Sequence, residues 1–442
     1  GEADLSQLPL PFIESMSYIP YDITQSGDGG IDGVVKLETG AQRTHLNLSQ
    51  GSFGHRAFDI YLNKQISGFW TSFQLGQRRE DGNYPVIWDG NQSRRENNQL
   101  DQQFAAITLR KMIRSDLYWQ LTAMSSRQSR GVAGLLWSPD TISHRNDQLT
   151  LLGSSLGWIR HNGSSHLHFA VRNSEEKYVN PYLNVRSDHR LQGYYINLKD
   201  EQHFGKRLEL NSDVRYNLDK ITSSSTSNHS RNTYSGSLAP TLLILKNIRV
   251  TPTLKFHYSP QLYKEFLNDF QIQIPLQWGP LTQVAWSQGE VFKYPSFNDQ
   301  FWEPGGNPDL RPEETKVTTL QSLFDFGYFG SLHLQWQKKA SNNLIQWMPV
   351  LSYWQPGNVQ SATRESRKAL WQFDLPGHHF STFAHYSIIQ TLDHERNLPL
   401  RYAPEQTSAL GFTWTPSQLE INMQYNFVSD RISMYGYPED VI

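Results

Sequence analysis

Residues 207–218 read RLELNSDVRYNL, and their apolar side chains fall on nearly every second position. Polar and charged side chains fill the positions between them. A period of two is that of a β-strand with one face in an apolar environment and the other in a polar one. The same alternation recurs in residues 331–337 (SLHLQWQ) and 418–427 (QLEINMQYNF). The pattern therefore predicts an all-β protein.

Composition narrows the class of protein further. The 442 residues are 13% aromatic, have a mean hydropathy of -0.59 and carry a formal charge of -2. No stretch approaches the roughly 18 apolar residues of a transmembrane helix. The near-neutral charge gives no basis for a nucleic-acid partner, which requires a basic face. The absence of cysteine excludes disulfides and thiolate metal sites.

Two architectures fit alternating strands. In a soluble β-sandwich or propeller the apolar faces pack against a core, and this alternative stays open. However, the polar faces carry charge along whole strands, and no second set of apolar faces remains for sheet-on-sheet packing. In a transmembrane β-barrel the lipid supplies the apolar partner and the polar face lines the lumen. The pattern favours the barrel.

The connections support that choice, because short and long ones alternate along the chain. Outer-membrane barrels have short periplasmic turns and longer extracellular loops. The long polar connections are predicted at 81–101, 127–148, 173–187, 218–232, 259–265, 288–314, 347–361 and 391–404. This division gives about nineteen strands. Because that number is odd, we expect an open edge between the first strand, near Leu46, and the last, near Ile421.

One polar connection carries a specific motif. Residues 294–315 read YPSFNDQFWEPGGNPDLRPEET and closely resemble a signature of TonB-dependent outer-membrane receptors. Residues 26–40, SGDGGIDGVVKLETG, resemble the last strand of the plug domain in the same family. GSFG at 51–54 resembles the family's first barrel hairpin.

The resemblance implies a transmembrane antiparallel β-barrel of the 22-stranded type, with about nineteen strands present. Residues 1–40 are then a C-terminal remnant of a mostly absent plug, and residues 41–442 are the barrel without its last strands. The implied location is the bacterial outer membrane, with its lipid as one partner. Another implied partner is TonB, which would act through the missing N-terminal part.

The resemblance also implies transport without catalysis or a cofactor. The expected ligand is scarce and bulky, such as a siderophore, a cobamide or other metal chelate, or a glycan. The alternative is a plugless passive pore or an outer-membrane assembly component that does not transport. No catalytic constellation is found in the sequence, so the protein is not expected to be an enzyme.

Four loop aromatics are candidate ligand contacts: Tyr84, Trp88, Trp302 and Trp354. They lie in the long connections and are able to stack on a ligand, or alternatively to sit in the aromatic girdle at the membrane surface. No metal site is predicted. The acids Asp81, Asp89, Glu96 and Asp101 lack the close spacing of a calcium loop, and His166 with His168 is only a weak pair. The motif at 294–315 is expected to be a rigid segment of the rim.

Overall fold

The computed structural model describes residues 8, 13, 15–19, 34–38, 44–434 and 437–439, except for gaps at 89, 137, 245–246, 261–262, 351–352, 376, 378, 402 and 418. Most of residues 1–40, where the plug remnant is expected, therefore lies outside the described residues, as does Asp89. Among the helices that the structure describes, none is long and apolar enough to cross a membrane.

Nearly every described element is a β-strand. The strands in chain order are β1 (Ser15–Ile19), β2 (Val34–Glu38), β3 (His45–Gln50), β4 (Arg56–Ile66), β5 (Phe69–Glu80), β6 (Pro85–Trp88), β7 (Asn91–Arg94), β8 (Leu100–Arg114), β9 (Leu117–Gly131), β10 (Gly134–Leu135), β11 (Ser138–Pro139), β12 (His144–Arg160), β13 (Gly163–Asn180), β14 (Val185–Phe204), β15 (Leu208–Ser223), β16 (Ser227–Ile244), β17 (Ile248–Ser259), β18 (Tyr263–Trp278), β19 (Leu281–Lys293), β20 (Glu313–Asp325), β21 (Ser331–Val350), β22 (Tyr353–Leu375), β23 (Phe380–Asp393), β24 (Gln406–Trp414), β25 (Ile421–Val428), β26 (Arg431–Met434) and β27 (Tyr437–Glu439). One short helix, α1 (Phe297–Phe301), and a 3-10 turn at Gly327–Phe329 complete the described elements.

Nineteen of these strands form one closed barrel in chain order. The other eight pair as four separate two-stranded sheets: β1 with β2, β6 with β7, β10 with β11, and β26 with β27. The predicted all-β barrel with about nineteen strands is thus confirmed. The strand order closes, with β25 next to β3, so the expectation that the barrel stays open is wrong. Every other neighbouring pair of barrel strands has a residue register, whereas among the described residues none joins β25 to β3, so the step between them lacks the ladder that joins the other neighbours.

An odd strand number does not prevent closure. From β3 through to β25, successive strands pair antiparallel. Nineteen alternating directions leave β3 and β25 running the same way, so they meet side by side without the antiparallel register that joins the other neighbours. The seam is therefore a single parallel step in an otherwise antiparallel wall.

The two faces of the wall follow the predicted alternation. Val214 is 60% exposed and Met423 is 61% exposed on the outside, whereas Asp213 is 3% exposed and Gln335 is 7% exposed on the inside. Leu8, from the N-terminal part, packs against an inward-facing apolar cluster of Ala106, Met124 and Leu149. The N-terminal part thus reaches the interior of the barrel at this point.

Half of the predicted long connections are strands instead. Residues 173–187, 218–232, 259–265 and 347–361 lie mostly in extended hairpins, and among their described residues only 181–184, 224–226 and 260 lie outside the strands. Above the membrane both faces of a strand meet water, so the alternation disappears and the sequence resembles a loop. The remaining long connections are 81–99, 132–143, 294–312 and 394–405.

Candidate ligand site at the loop end of the barrel

The connection at 294–312, called the strut below, has a helical start fixed by local hydrogen bonds. Ser296 caps α1 by accepting from the Asp299 N–H at 3.1 Å, while the Asp299 carboxylate accepts from the Ser296 N–H at 2.8 Å. This reciprocal capping box satisfies two donors at the start of the helix. The second Asp299 oxygen accepts from the Trp347 indole N–H at 2.9 Å. One carboxylate therefore orders the strut and ties it to β21.

The first half of the strut is held by β16. Arg231 donates to the Pro295 carbonyl and to the Gln300 side chain, both at 2.7 Å, and its guanidinium lies 4.8 Å from the centre of the Phe297 ring. His229 stacks on Phe301 with ring centres 3.6 Å apart. Arg231 and His229 face the lumen, so the strut lies on the inner side of the wall.

The second half of the strut is held by β22. Asn307 donates to the Pro356 carbonyl at 3.2 Å, and Asn358 both accepts from the Arg311 N–H at 2.9 Å and donates to the Arg311 carbonyl at 3.0 Å. Because β16 and β22 have five strands between them, the strut crosses part of the barrel mouth. These contacts support the expected rigid, structural role of the motif.

Two of the four candidate aromatics meet at the strut. Trp302 packs edge-on against Trp347 at 5.6 Å between ring centres. The Trp354 carbonyl and the Trp302 ring both lie against Gly305. A side chain at this position would not fit, because its Cβ would stand 2.1 Å from the carbonyl oxygen and 3.0 Å from the ring. The Arg401 guanidinium lies 5.5 Å from the centre of the Trp354 ring. Trp302 is half-buried, and Trp354 is 39% exposed.

The other two candidates belong to a separate loop. Tyr84 and Trp88 lie in or just before the β6–β7 hairpin and are each 41% exposed. Tyr84 has its ring 6.2 Å from that of Phe53, in the β3–β4 turn. The N–H groups of Asp81 and Gly82 donate to the Phe53 carbonyl at 2.9 and 3.3 Å. The loop is thus fixed at its base while the two aromatic rings stay accessible.

The weaker metal candidates show ordinary polar contacts. His166 and His168 stack 6.1 Å apart, and the Tyr118 hydroxyl lies 3.2 Å from His166 Nδ1. Asp101 pairs with Arg79 at 2.8 Å. Within the described part of the chain, no three His, Asp or Glu side chains converge on a metal position.

Sequence reasoning missed three residues that organise this end of the barrel: Arg231, Trp347 and Arg401. Arg231 and Arg401 each contact backbone more than fifty residues away, at Pro295 and Trp347 respectively. The sequence carries no local signal for such contacts. By contrast, Ser296 and Asp299 are spaced as a capping box, which the sequence alone was sufficient to reveal.

No family model matches the chain. Over 158 residues it is 27% identical to the vitamin B12 transporter BtuB of Vibrio vulnificus (strain YJ016), a match that covers 35% of this chain and 25% of that protein. The chain thus spans only about a quarter of the length of that curated relative.

Solved structures match nearly the whole chain. The copper transporter OprC has a TM-score of 0.79 at 12% identity and covers 97% of this chain and 74% of its own. A variant of the ferric enterobactin receptor PfeA of Pseudomonas aeruginosa, in complex with enterobactin, has a TM-score of 0.78 at 13% identity. The match covers 97% of this chain and 75% of the receptor chain. These likenesses establish the fold, and the proteins concerned are transporters or receptors rather than enzymes.

Proposed function

We propose that this chain, an outer-membrane barrel of the TonB-dependent receptor type, binds a scarce, bulky nutrient at its loop end and takes part in TonB-driven import. The observation that carries the proposal is the cross-braced loop end of the barrel. The strut there is held by both β16 and β22 and leaves the Trp354 ring accessible, while Leu8 of the N-terminal part packs inside the wall.

The N-terminal part is proposed to be a plug remnant. The β1–β2 hairpin forms its own two-stranded sheet outside the barrel ladder, as expected for a separate domain piece within residues 1–40. Residues 41–442 would then be the barrel. The position of Leu8 inside the lumen supports the receptor over the passive pore, because a pore conducts only through an open lumen.

The first ligand to test is a cobamide, since the curated matches are vitamin B12 transporters. Ferric enterobactin and copper ions follow, because the matching structures bear those names. Uptake of labelled cyanocobalamin, labelled ferric enterobactin and copper is measured in cells that express the natural full-length protein, with and without TonB. Uptake of one ligand that requires both proteins supports import. Uptake that persists without TonB contradicts it and favours the passive pore.

Tyr84 and Trp88 are proposed as ligand contacts. Replacing both with alanine is expected to weaken binding of the transported ligand by about 1–3 kcal/mol, the range found for bases stacked on aromatic side chains. The barrel is expected to stay folded, because loop side chains contribute little to the ladder. Tyr328→Ala is the matched control, since Tyr328 is 84% exposed in a turn at the opposite end. Unchanged affinity of the double variant in a titration rules out these two contacts.

Trp302 and Trp354 are proposed as a second, more rigid part of the same site. Trp354 keeps an accessible ring beneath Arg401, whereas Trp302 is packed against Trp347. We therefore expect Trp354→Ala to lower ligand affinity without loss of stability, and Trp302→Ala to lower both.

A further inference from the structure

The wall is incomplete between β18 and β19 toward their loop ends. The residue register between these two strands ends at the pair Phe270 and Gln288. Both strands continue beyond this pair, but among the described residues no register pair joins 263–269 of β18 to 289–293 of β19. Over that length β18 is paired with β17, and β19 is paired with β20. The unpaired stretch, called the slit below, is therefore a gap in the ladder with a complete ladder on either side.

A side chain takes the place of the ladder at the foot of the slit. Continued beyond its last pair, the register would set Glu290 opposite Asn268. Instead the Glu290 N–H donates to the Asp269 carboxylate at 2.9 Å, and Lys255 of β17 forms an ion pair with the same buried carboxylate. A cavity of about 340 Å³ lies at this point, with Thr253 and Asp269 among its lining residues. One carboxylate thus joins the two strands where backbone pairing has stopped.

The two sides of the slit overlap. Two residues before Phe292, β19 pairs with Lys316, an outward-facing cation that is 68% exposed, so the period of two places Phe292 on the outward face as well. Phe292 is nevertheless 1% exposed, belongs to one apolar cluster with Leu267 of β18, and has its ring centre 6.1 Å from that of His257 of β17. The registers place Leu267 and His257 on the same face as the inward-facing Asp213. The upper end of β19 therefore lies on the lumen side of β17 and β18.

The strut ties the two sides of the slit together. It follows β19 directly, and on the β18 side it is held by Arg231 of β16 and by the Ser225 carbonyl, which accepts from the Glu303 N–H at 2.8 Å. Its other contacts are to β21 and β22, on the β19 side. Side-chain packing, one carboxylate and the strut thus keep the slit shut. Its two sides are able to separate without breaking a ladder.

We propose that the slit is a movable joint in the wall, at which the upper end of β19 slides on the inner face of β17 and β18 while the strut releases its contacts with β16. Gly289 follows the last register pair, and its lack of a side chain suits the point at which β19 bends. Sliding of packed surfaces leaves the ladders on both sides intact. The movement widens the loop end for a bulky ligand, a use that rests on the import proposed above, whereas the movement itself needs no ligand.

The test is the rate at which a maleimide labels single cysteines in the purified protein in detergent, since the chain itself has no cysteine. Thr253→Cys reports on the slit, because Thr253 is 2% exposed and lies opposite Asp269 in the register. Ser174→Cys is the matched control, because Ser174 is 0% exposed and has register pairs on both sides. Within the described part of the chain neither hydroxyl has a hydrogen-bond partner, so neither replacement removes a bond. Thr253→Cys is expected to be labelled roughly tenfold faster or more, because local opening exposes it before the whole barrel unfolds.

Two second substitutions show what holds the slit shut. Phe292→Ala, which removes the overlap, is expected to speed labelling of Thr253→Cys by roughly tenfold or more and to leave Ser174→Cys unchanged. Arg231→Ala is expected to speed it as well, although Arg231 lies much nearer the loop end, because the strut and β19 move together. Lys177→Ala, which removes a cation from an exposed ion pair on β13, is the control for Arg231→Ala and is expected to have no effect.

Heat-modifiable migration in gels confirms that each variant is folded, and an unfolded Phe292→Ala is replaced by Phe292→Leu. Equal labelling rates of the two single-cysteine proteins overturn the proposal, and so does equal acceleration of both by the change at Phe292. Acceleration by that change but not by Arg231→Ala overturns the joint movement of the strut and β19. Because no ligand is present, these outcomes do not depend on whether the protein imports one.

Discussion

Two parts of the barrel wall, β21–β22 and the β3/β25 seam, are built from the same alternating pattern but differ in support. β21 and β22 have 20 and 23 residues, and the strut lies against their inner side. β3 and β25 have six and eight, and five and seven of those residues are exposed. The difference teaches that alternation places a strand in the wall, whereas contacts from outside the ladder determine how firmly it is held.

The inner side of the tall wall shows what such contacts achieve. Glu313 is 2% exposed and accepts from the Ile345 N–H at 2.8 Å, and Gln337 donates to Thr319 at 3.2 Å. Buried polar groups of this kind are stabilising only when paired, and an unpaired one costs about 1–3 kcal/mol. β3 and β25 are mostly exposed, and a residue register joins each of them only to its other neighbour, β3 to β4 and β25 to β24. The seam is therefore held from one side on each strand.

The largest expected effect is in hydrogen exchange. Amides of β25 are expected to exchange on the order of a thousandfold faster than amides at the same height in β21, because local opening free energies range from near zero to the global value. Exchange measured by mass spectrometry on the folded barrel tests this. Equal protection of the amides in both strands would show that β25 is held as firmly as β21.

Removing the clamp on the strut is expected to have the next largest effect. Arg231→Ala loses charged hydrogen bonds to Pro295 and Gln300 and should lower the free energy of unfolding by about 3 kcal/mol. Denaturant unfolding in detergent measures the change. Arg79→Ala is the control, because its pair with Asp101 is exposed and worth less than about 1 kcal/mol. A loss no larger than the control's shows that the strut does not support the wall.

A smaller effect is expected from Asp299→Ala. The variant keeps the Ser296 cap but loses the reciprocal hydrogen bond from the Ser296 N–H and the bond from Trp347, a loss of about 2 kcal/mol. Asp309 is exposed in the same strut, so Asp309→Ala controls for removing a carboxylate there. If the two variants unfold alike, the capping box is not what orders the strut.

The smallest effect concerns pH near the seam. Burial raises the pKa of Glu80, but hydrogen bonds from His55 and Arg78 outweigh burial and hold the pKa below its usual value. Because the pKa of Glu80 is lower in the folded state, its ionised form stabilises the fold at pH values above the usual glutamate pKa of about 4.3. This stabilisation is lost as the pH falls through the pKa of Glu80 in the folded protein. We expect a loss of under about 1 kcal/mol, absent in Glu80→Gln. The pH dependence of unfolding from 6 down to 3 measures it, and identical slopes for both proteins contradict it.

The sequence predicted the two faces of the wall because Val214, Asp213 and their neighbours experience only two environments. The loops predicted from the sequence are too long. Strand residues above the membrane meet water on both faces, so the apolar–polar alternation that identifies a strand is absent there. The sequence did not predict that β25 lies next to β3. An odd number of strands determines that the first and last strands run the same way, but it does not determine whether they become neighbours. The strut contacts of Arg231 depend on residues 64 positions away, which a local pattern does not encode.

The width of the barrel has a consequence for the cell that carries it. Nineteen strands spaced about 4.8 Å apart and tilted about 40° enclose a backbone cylinder roughly 38 Å across. Left empty, such a channel would admit bile salts and large antibiotics that the outer membrane otherwise keeps out. Leu8 packs against the inner wall at one point of this width, so a barrel of this size keeps such compounds out only if much more of its cross-section is filled.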